Sequence, residues 1–187
     1  MSATPILPNG RVLRYTFHER LVHWLAAISY IYLMLTGLAF WSPWLFWIAV
    51  VLGGGLASRM LHPLVGLIFA ASVIDMYFMW KQDMRITDLD RQWTKTIGAY
   101  VRNEEEEQIP GLAVRSWQKW APVDRFNLGQ KYLFWVMFWG GIALLLSGLV
   151  LWYTEYIPWN LRFLRYISVL VHPIAFLVTL GGFIIHV

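Results

Sequence analysis

No cysteine occurs anywhere in the 187 residues. That absence excludes disulfides, thiolate-ligated iron–sulfur clusters and cysteine-bound zinc within the chain. Charge is scarce as well. Only 14% of the residues are Asp, Glu, Lys or Arg, against roughly a quarter in a soluble domain. The first twenty residues, MSATPILPNGRVLRYTFHER, contain no long hydrophobic run. A cleavable secretion signal would carry a shorter apolar run placed earlier, so none is expected here. What fills the chain is apolar: 58% hydrophobic and 17% aromatic residues, including 12 Trp. An indole ring sits well at a membrane–water boundary. These features define an all-α polytopic membrane protein, read as one domain over 1–187. The net charge of +4 then reports orientation in a membrane, and no nucleic-acid partner is expected.

Four apolar stretches are long enough to cross a hydrocarbon core of about 30 Å. They cover about 21–41, 58–80, 132–153 and 164–187. Ser42-Pro43 ends the first. Residues 44–56 are apolar but short and end in Gly53-Gly54-Gly55, which reads as an interfacial connection. Residues 81–131 form the one long polar stretch, with a run of glutamates from Glu104 to Glu107 that reads as a solvated face. Nothing polar follows His186 and Val187, so the last span is expected to be cut short there. With four spans, the N-terminus and the 81–131 loop share one side. Twelve of the fifteen Lys and Arg lie on that side, and only Arg59, Arg162 and Arg165 lie on the other. The positive-inside rule makes the richer side cytoplasmic.

Ionisable groups inside a membrane are costly and mark function. This topology gives each histidine a depth. His62 and His172 fall near the outer side, while His23 and His186 fall near the cytoplasmic side. His172 and His186 are 14 residues apart, which on a helix is a rise of about 21 Å and nearly four whole turns. They share one face at two depths. Two imidazoles on facing helices are what bis-histidine haem ligation needs, and four-helix bundles build cofactor sites from such facing side chains. The expectation is a membrane four-helix bundle binding two b-type haems, His62 with His172 outside and His23 with His186 inside. His18 is read as a headgroup-level residue and is the alternative to His23. Glycines within the spans serve either helix packing or room for a macrocycle. Arg59, Arg162 and Arg165 either pair with haem propionates or snorkel to the interface. Asp75, inside the second span, either delivers protons or sits at the boundary.

The segments RLVHW at 20–24, RMLHPLVG at 59–66, RFNLGQK at 125–131 and VLVHP…FIIHV at the end resemble the cytochrome b (gamma) subunit of membrane-bound respiratory formate dehydrogenase. The similarity covers nearly the whole chain in the same order. It implies a bacterial inner-membrane subunit that takes electrons from an iron–sulfur (beta) subunit served by a molybdenum or tungsten catalytic (alpha) subunit. It implies that the outer haem receives them first and that the cytoplasmic haem reduces menaquinone or ubiquinone. It also implies a quinone site at Asn127, Gly129 and Gln130, with His186 against the quinone, and a possible higher oligomer of the complex. From the residues alone, Asn127 is equally readable as the N-cap of the third helix. Three other readings stay open: the same role beside a nickel–iron hydrogenase or another molybdopterin enzyme, a membrane anchor without redox function, and a transporter with a histidine proton relay.

Overall fold

A computed structural model describes residues 13–94 and 125–187. The glutamate run at 104–107 therefore lies outside the described residues. Helix α1 spans Phe17–Trp41. A short 3₁₀ turn at Pro43–Leu45 leads to α2, Phe46–Val51. Helices α3, Gly55–Trp80, and α4, Asp88–Trp93, follow. Helix α5 spans Leu128–Trp152 and α6 spans Phe163–His186, with 3₁₀ turns at Thr154–Tyr156 and Trp159–Leu161 between them. Among the described residues, α1, α3, α5 and α6 are long and apolar enough to cross a membrane. The all-α expectation with four membrane spans therefore holds.

The helices begin before the apolar runs do. The span expected from 21 is helical from Phe17, and the one expected from 132 is helical from Leu128. The cause is the same at both starts. Thr16 Oγ1 accepts from the Glu19 N–H at 3.3 Å while the Glu19 carboxylate accepts from the Thr16 N–H at 2.7 Å. Asn127 Oδ1 accepts from the Gln130 N–H at 2.9 Å, and Gln130 Oε1 accepts from the Asn127 N–H at 3.0 Å. Each is a reciprocal capping box that satisfies two orphan helix donors. The polar first turn makes helix without contributing to the hydrophobic run. At the other ends, α1, α3 and α5 each close on a tryptophan, Trp41, Trp80 and Trp152, as an interfacial belt predicts.

The chain divides into two compact units. One comprises Tyr15–Met79 and Val136–Val187. Its centre is built from Ala26, Tyr30, Phe69 and Val73, with Leu33, Met34, Met76, Met137, Phe138 and Phe183 packed around them. The Tyr30 ring lies 5.5 Å from that of Phe69 and 5.4 Å from that of Phe183. The Tyr30 hydroxyl donates to Thr179 Oγ1, which itself donates to the Ala175 carbonyl. Ser29, Thr36, Ser72 and Ser147 follow the same rule, each donating to a carbonyl four residues back. Such back-bonding hides a polar group that lipid cannot solvate. Gly53 and Gly54, with φ near +100°, form the turn between α2 and α3.

The other unit contains the described residues 13–14, 80–94 and 125–135. Arg125 is its hub. Its guanidinium meets Asp83 Oδ2 at 3.0 Å and donates to the Arg14 carbonyl at 3.0 Å. Arg14 returns a bond to the Arg125 carbonyl. Lys131 was counted with the polar loop, but it lies within the first turn of α5 and is fully buried. Its ammonium meets Asp90 at 2.6 Å and the Arg85 carbonyl at 3.0 Å. The Asp90 carboxylate also accepts from the Thr87 N–H and hydroxyl. Burial acts to raise the Asp90 pKa, but the bonds from Lys131 and Thr87 outweigh it, and the carboxyl is held below its ordinary value.

Candidate functional site

All four intramembrane histidines lie in the unit formed by Tyr15–Met79 and Val136–Val187. They meet in the expected combinations. The rings of His62 on α3 and His172 on α6 have centroids 6.4 Å apart. Those of His23 on α1 and His186 at the end of α6 are 6.0 Å apart. An imidazole nitrogen binds a metal at about 2 Å, so a metal held between two opposed imidazoles needs ring centroids about 6 Å apart. Both pairs meet that spacing. Among the described residues, no group of three or more His, Cys, Asp or Glu gathers to hold a bare metal ion. The donor set at each pair is two imidazoles, which suits a metal whose remaining ligands arrive with a macrocycle.

The His62–His172 pair opens on a cavity of about 780 Å³, within the roughly 300–1,000 Å³ of cofactor pockets. Its walls are apolar, including Leu33, Phe40, Leu67, Leu145 and Phe176. Arg59 and Glu155 are among the few charged groups that line it. Arg162 is engaged elsewhere, its guanidinium 4.2 Å from the centre of the Trp159 ring. Of Arg59, Arg162 and Arg165, Arg59 is the one that lines the cavity.

His62 and His172 are each held by a hydroxyl from a neighbouring helix. Thr36 Oγ1 on α1 lies 2.6 Å from His62 Nδ1, and Ser147 Oγ on α5 lies 2.9 Å from His172 Nδ1. Glycine follows each hydroxyl residue. A Cβ on Gly148 would stand 3.3 Å from His172 Cε1, whereas one on Gly37 would stand an ordinary 4.0 Å from His62 Cε1. Gly148→Ala is therefore expected to push the His172 imidazole by a few tenths of an ångström and to alter the spectrum or occupancy of the group it holds. Gly37→Ala is expected to leave both unchanged. Reduced-minus-oxidised difference spectra of the two variants check this.

The sequence reading did not single out Thr36 or Ser147. A signal for them exists. Residues 35–41, LTGLAFW, and 146–152, LSGLVLW, share the pattern L-[TS]-G-L-x-x-W. Each hydroxyl residue precedes its histidine by 26 or 25 residues, and each histidine is followed by proline, His62-Pro63 and His172-Pro173. The capping segments repeat too: RYTFHER at 14–20 and RFNLGQK at 125–131. These segments form an imperfect repeat, and the residues it shares lie at the His62–His172 site.

The other expected residues are placed as follows. His18 is exposed, and its Nε2 lies 3.1 Å from Asp75 Oδ2. Asp75 is thus engaged with His18, and His23 is the residue that faces His186. Asn127 and Gln130 form the capping box of α5, so the N-cap reading of Asn127 is realised, and Gly129 is exposed on the same turn.

Four membrane-length helices with imidazoles paired between them have the architecture of a membrane cytochrome b. Residues 14–187 match the prokaryotic cytochrome b561 family, and the chain belongs to that family, whose cofactor is haem b. The cytochrome b556(fdo) subunit of formate dehydrogenase from Escherichia coli K12 is 29% identical over 177 residues, covering 94% of this chain and 77% of the relative. The cytochrome b556 subunit of formate dehydrogenase from Haemophilus influenzae is 28% identical, over 100% of this chain and 74% of the relative. The nitrate-inducible cytochrome b556(Fdn) subunit of Escherichia coli K12 is 26% identical, over 94% of this chain and 75% of the relative. The family resemblance carried by the sequence motifs is borne out.

Proposed function

We propose that this chain is the cytochrome b subunit of a formate dehydrogenase complex, anchoring it in a bacterial inner membrane and passing electrons from an iron–sulfur subunit to quinone. The observation that carries the reading is the pair of histidine contacts at the two depths of α6. His62 and His172 hold the outer haem b, and His23 and His186 the cytoplasmic one. Haem iron, when bound, supplies one-electron transfer. Arg59 stands where a propionate of the outer haem can be neutralised. The relatives are formate dehydrogenase subunits, which favours formate over hydrogen as the reductant of the complex. The alpha subunit with molybdenum or tungsten and the beta subunit with iron–sulfur clusters are the partners this function requires.

The quinone is assigned to Asn127, Gly129 and Gln130. In the capping box both side-chain oxygens accept backbone N–H groups. That fixes the amide orientation and leaves both NH₂ groups as donors. The matching box of α1, Thr16 with Glu19, has no spare amide donor. Two N–H donors at the head of α5 suit quinone carbonyls, and Gly129 lets the ring approach the backbone. Two electrons and two cytoplasmic protons convert quinone to quinol. With electrons arriving from outside, the reaction is electrogenic without pumping.

The purified complex is expected to contain alpha and beta subunits and two haems b per copy of this chain, measured by subunit identification and pyridine haemochrome assay. Fewer than two haems, or co-purification with a hydrogenase in place of these subunits, would refute the reading. Gln130→Leu is expected to raise the apparent KM for quinone about tenfold or more, as expected when a polar group on the ligand loses its partner, while leaving haem content unchanged.

A further inference from the structure

The two histidine pairs are held differently. Thr36 Oγ1 lies 2.8 Å from the Tyr32 carbonyl, and Ser147 Oγ lies 2.6 Å from the Ala143 carbonyl. Two oxygens that close need a proton between them. Carbonyls carry none, so each hydroxyl spends its only proton on its own helix. What it turns toward histidine Nδ1 is a lone pair. Nδ1 must then carry the hydrogen, and Nε2 is left bare. At the inner pair, His23 and His186 have no such partner among the described residues.

We infer that Thr36 and Ser147 are positioning residues that fix the tautomer and donor strength of His62 and His172, and so set the outer haem at a lower potential than the inner one. The inference rests on the outer pair holding a haem, as proposed above. An acceptor on Nδ1–H gives the ring partial imidazolate character and makes Nε2 a stronger donor. A stronger donor stabilises ferric over ferrous iron, which lowers the potential. The inner pair lacks that bias. Electrons arriving outside then run downhill toward the cytoplasmic face. The duplicated motif places this control at the outer site alone: the first helix of each repeat supplies the hydroxyl and the second supplies the histidine.

The test is an optical redox titration of the purified complex in two variants of one residue. Thr36→Val removes the hydroxyl and keeps the volume, whereas Thr36→Ser keeps the hydroxyl. Thr36→Val is expected to keep two haems and to move only the lower-potential component toward more positive values. Thr36→Ser is expected to titrate as the parent. Ser147→Ala is expected to move the same component in the same direction. Loss of the outer haem in Thr36→Val but not in Thr36→Ser supports the inference equally. Unchanged potentials in Thr36→Val, movement of the component that His23→Ala deletes, or haem loss in both Thr36 variants overturns it. A parent complex with fewer than two haems would instead overturn the proposed function.

Discussion

Replacing His62 or His172 with alanine is expected to halve the haem content of the complex and leave one haem spectrally intact. The ring centroids of the two imidazoles stand 6.4 Å apart beside the cavity, and no further histidine lines it. The cavity's other lining residues are mainly apolar, with Arg59 and Glu155 the charged ones and Met34 the one thioether. Any haem that stayed bound through one remaining imidazole would lack the low-spin signature that two histidine ligands would give. Electron transfer from formate to quinone should fall to the background of a complex lacking this subunit, while formate oxidation with a soluble dye acceptor persists. Low-temperature difference spectra and haem-to-protein ratios provide the readout. His23→Ala and His186→Ala should delete the other spectral component. His18→Ala should delete neither, because His18 faces Asp75 and not a second imidazole. A His62→Gly complex that regains its outer haem on adding imidazole would show that the lost ring, and not a collapsed helix, caused the defect. Loss of the same component from His62→Ala and His23→Ala would refute the pairing.

Much of this site was legible because membranes restrict the options. Long apolar runs read as helices, and basic residues set their direction. A histidine's position along a helix then gives its depth, so the pairs His62–His172 and His23–His186 follow from spacing alone. What stayed hidden has a shared physical reason. Thr36 and Ser147 look like any hydroxyl that back-bonds within a helix in lipid, and only tertiary packing shows that their second lone pair is used. Glu19 and Gln130 are polar and fall outside the hydrophobic windows, yet they are parts of capping boxes that extend α1 and α5 beyond the apolar runs. Asp75 was readable as a proton carrier or a boundary residue. Its contact with His18 needed two helices to be brought together. The repeat L-[TS]-G-L-x-x-W was present in the letters all along.

Lys131→Met is expected to destabilise the unit around the start of α5 by about 3–5 kcal/mol, the usual result of removing one partner of a buried ion pair. Lys131 is fully buried and Asp90 nearly so. Removing the ammonium leaves the carboxylate with only the Thr87 N–H and hydroxyl as donors. The Arg85 carbonyl loses its bond from Lys131 as well. Asp90→Asn should cost less, since the amide keeps an acceptor for Lys131 and Thr87 while removing one charge. The double variant Lys131→Met/Asp90→Asn should recover part of the loss, because it removes both buried charges together. The pH dependence has a definite sign. Burial raises the Asp90 pKa, but its bonds from Lys131 and Thr87 lower it more, so the folded value lies below the ordinary 3.8. The stabilisation is therefore present at pH values above 3.8 and is lost as pH falls through the folded pKa. Hydrogen exchange of residues 80–94 and 125–135 in the detergent-solubilised complex measures both effects. Protection at neutral pH should drop sharply in Lys131→Met while α1 and α6 keep theirs. Acidification should reduce protection of the parent only below the ordinary carboxyl range. Equal loss of protection in α6 would show that the pair stabilises the whole chain rather than this unit, and unchanged protection in Lys131→Met would show that the pair contributes nothing.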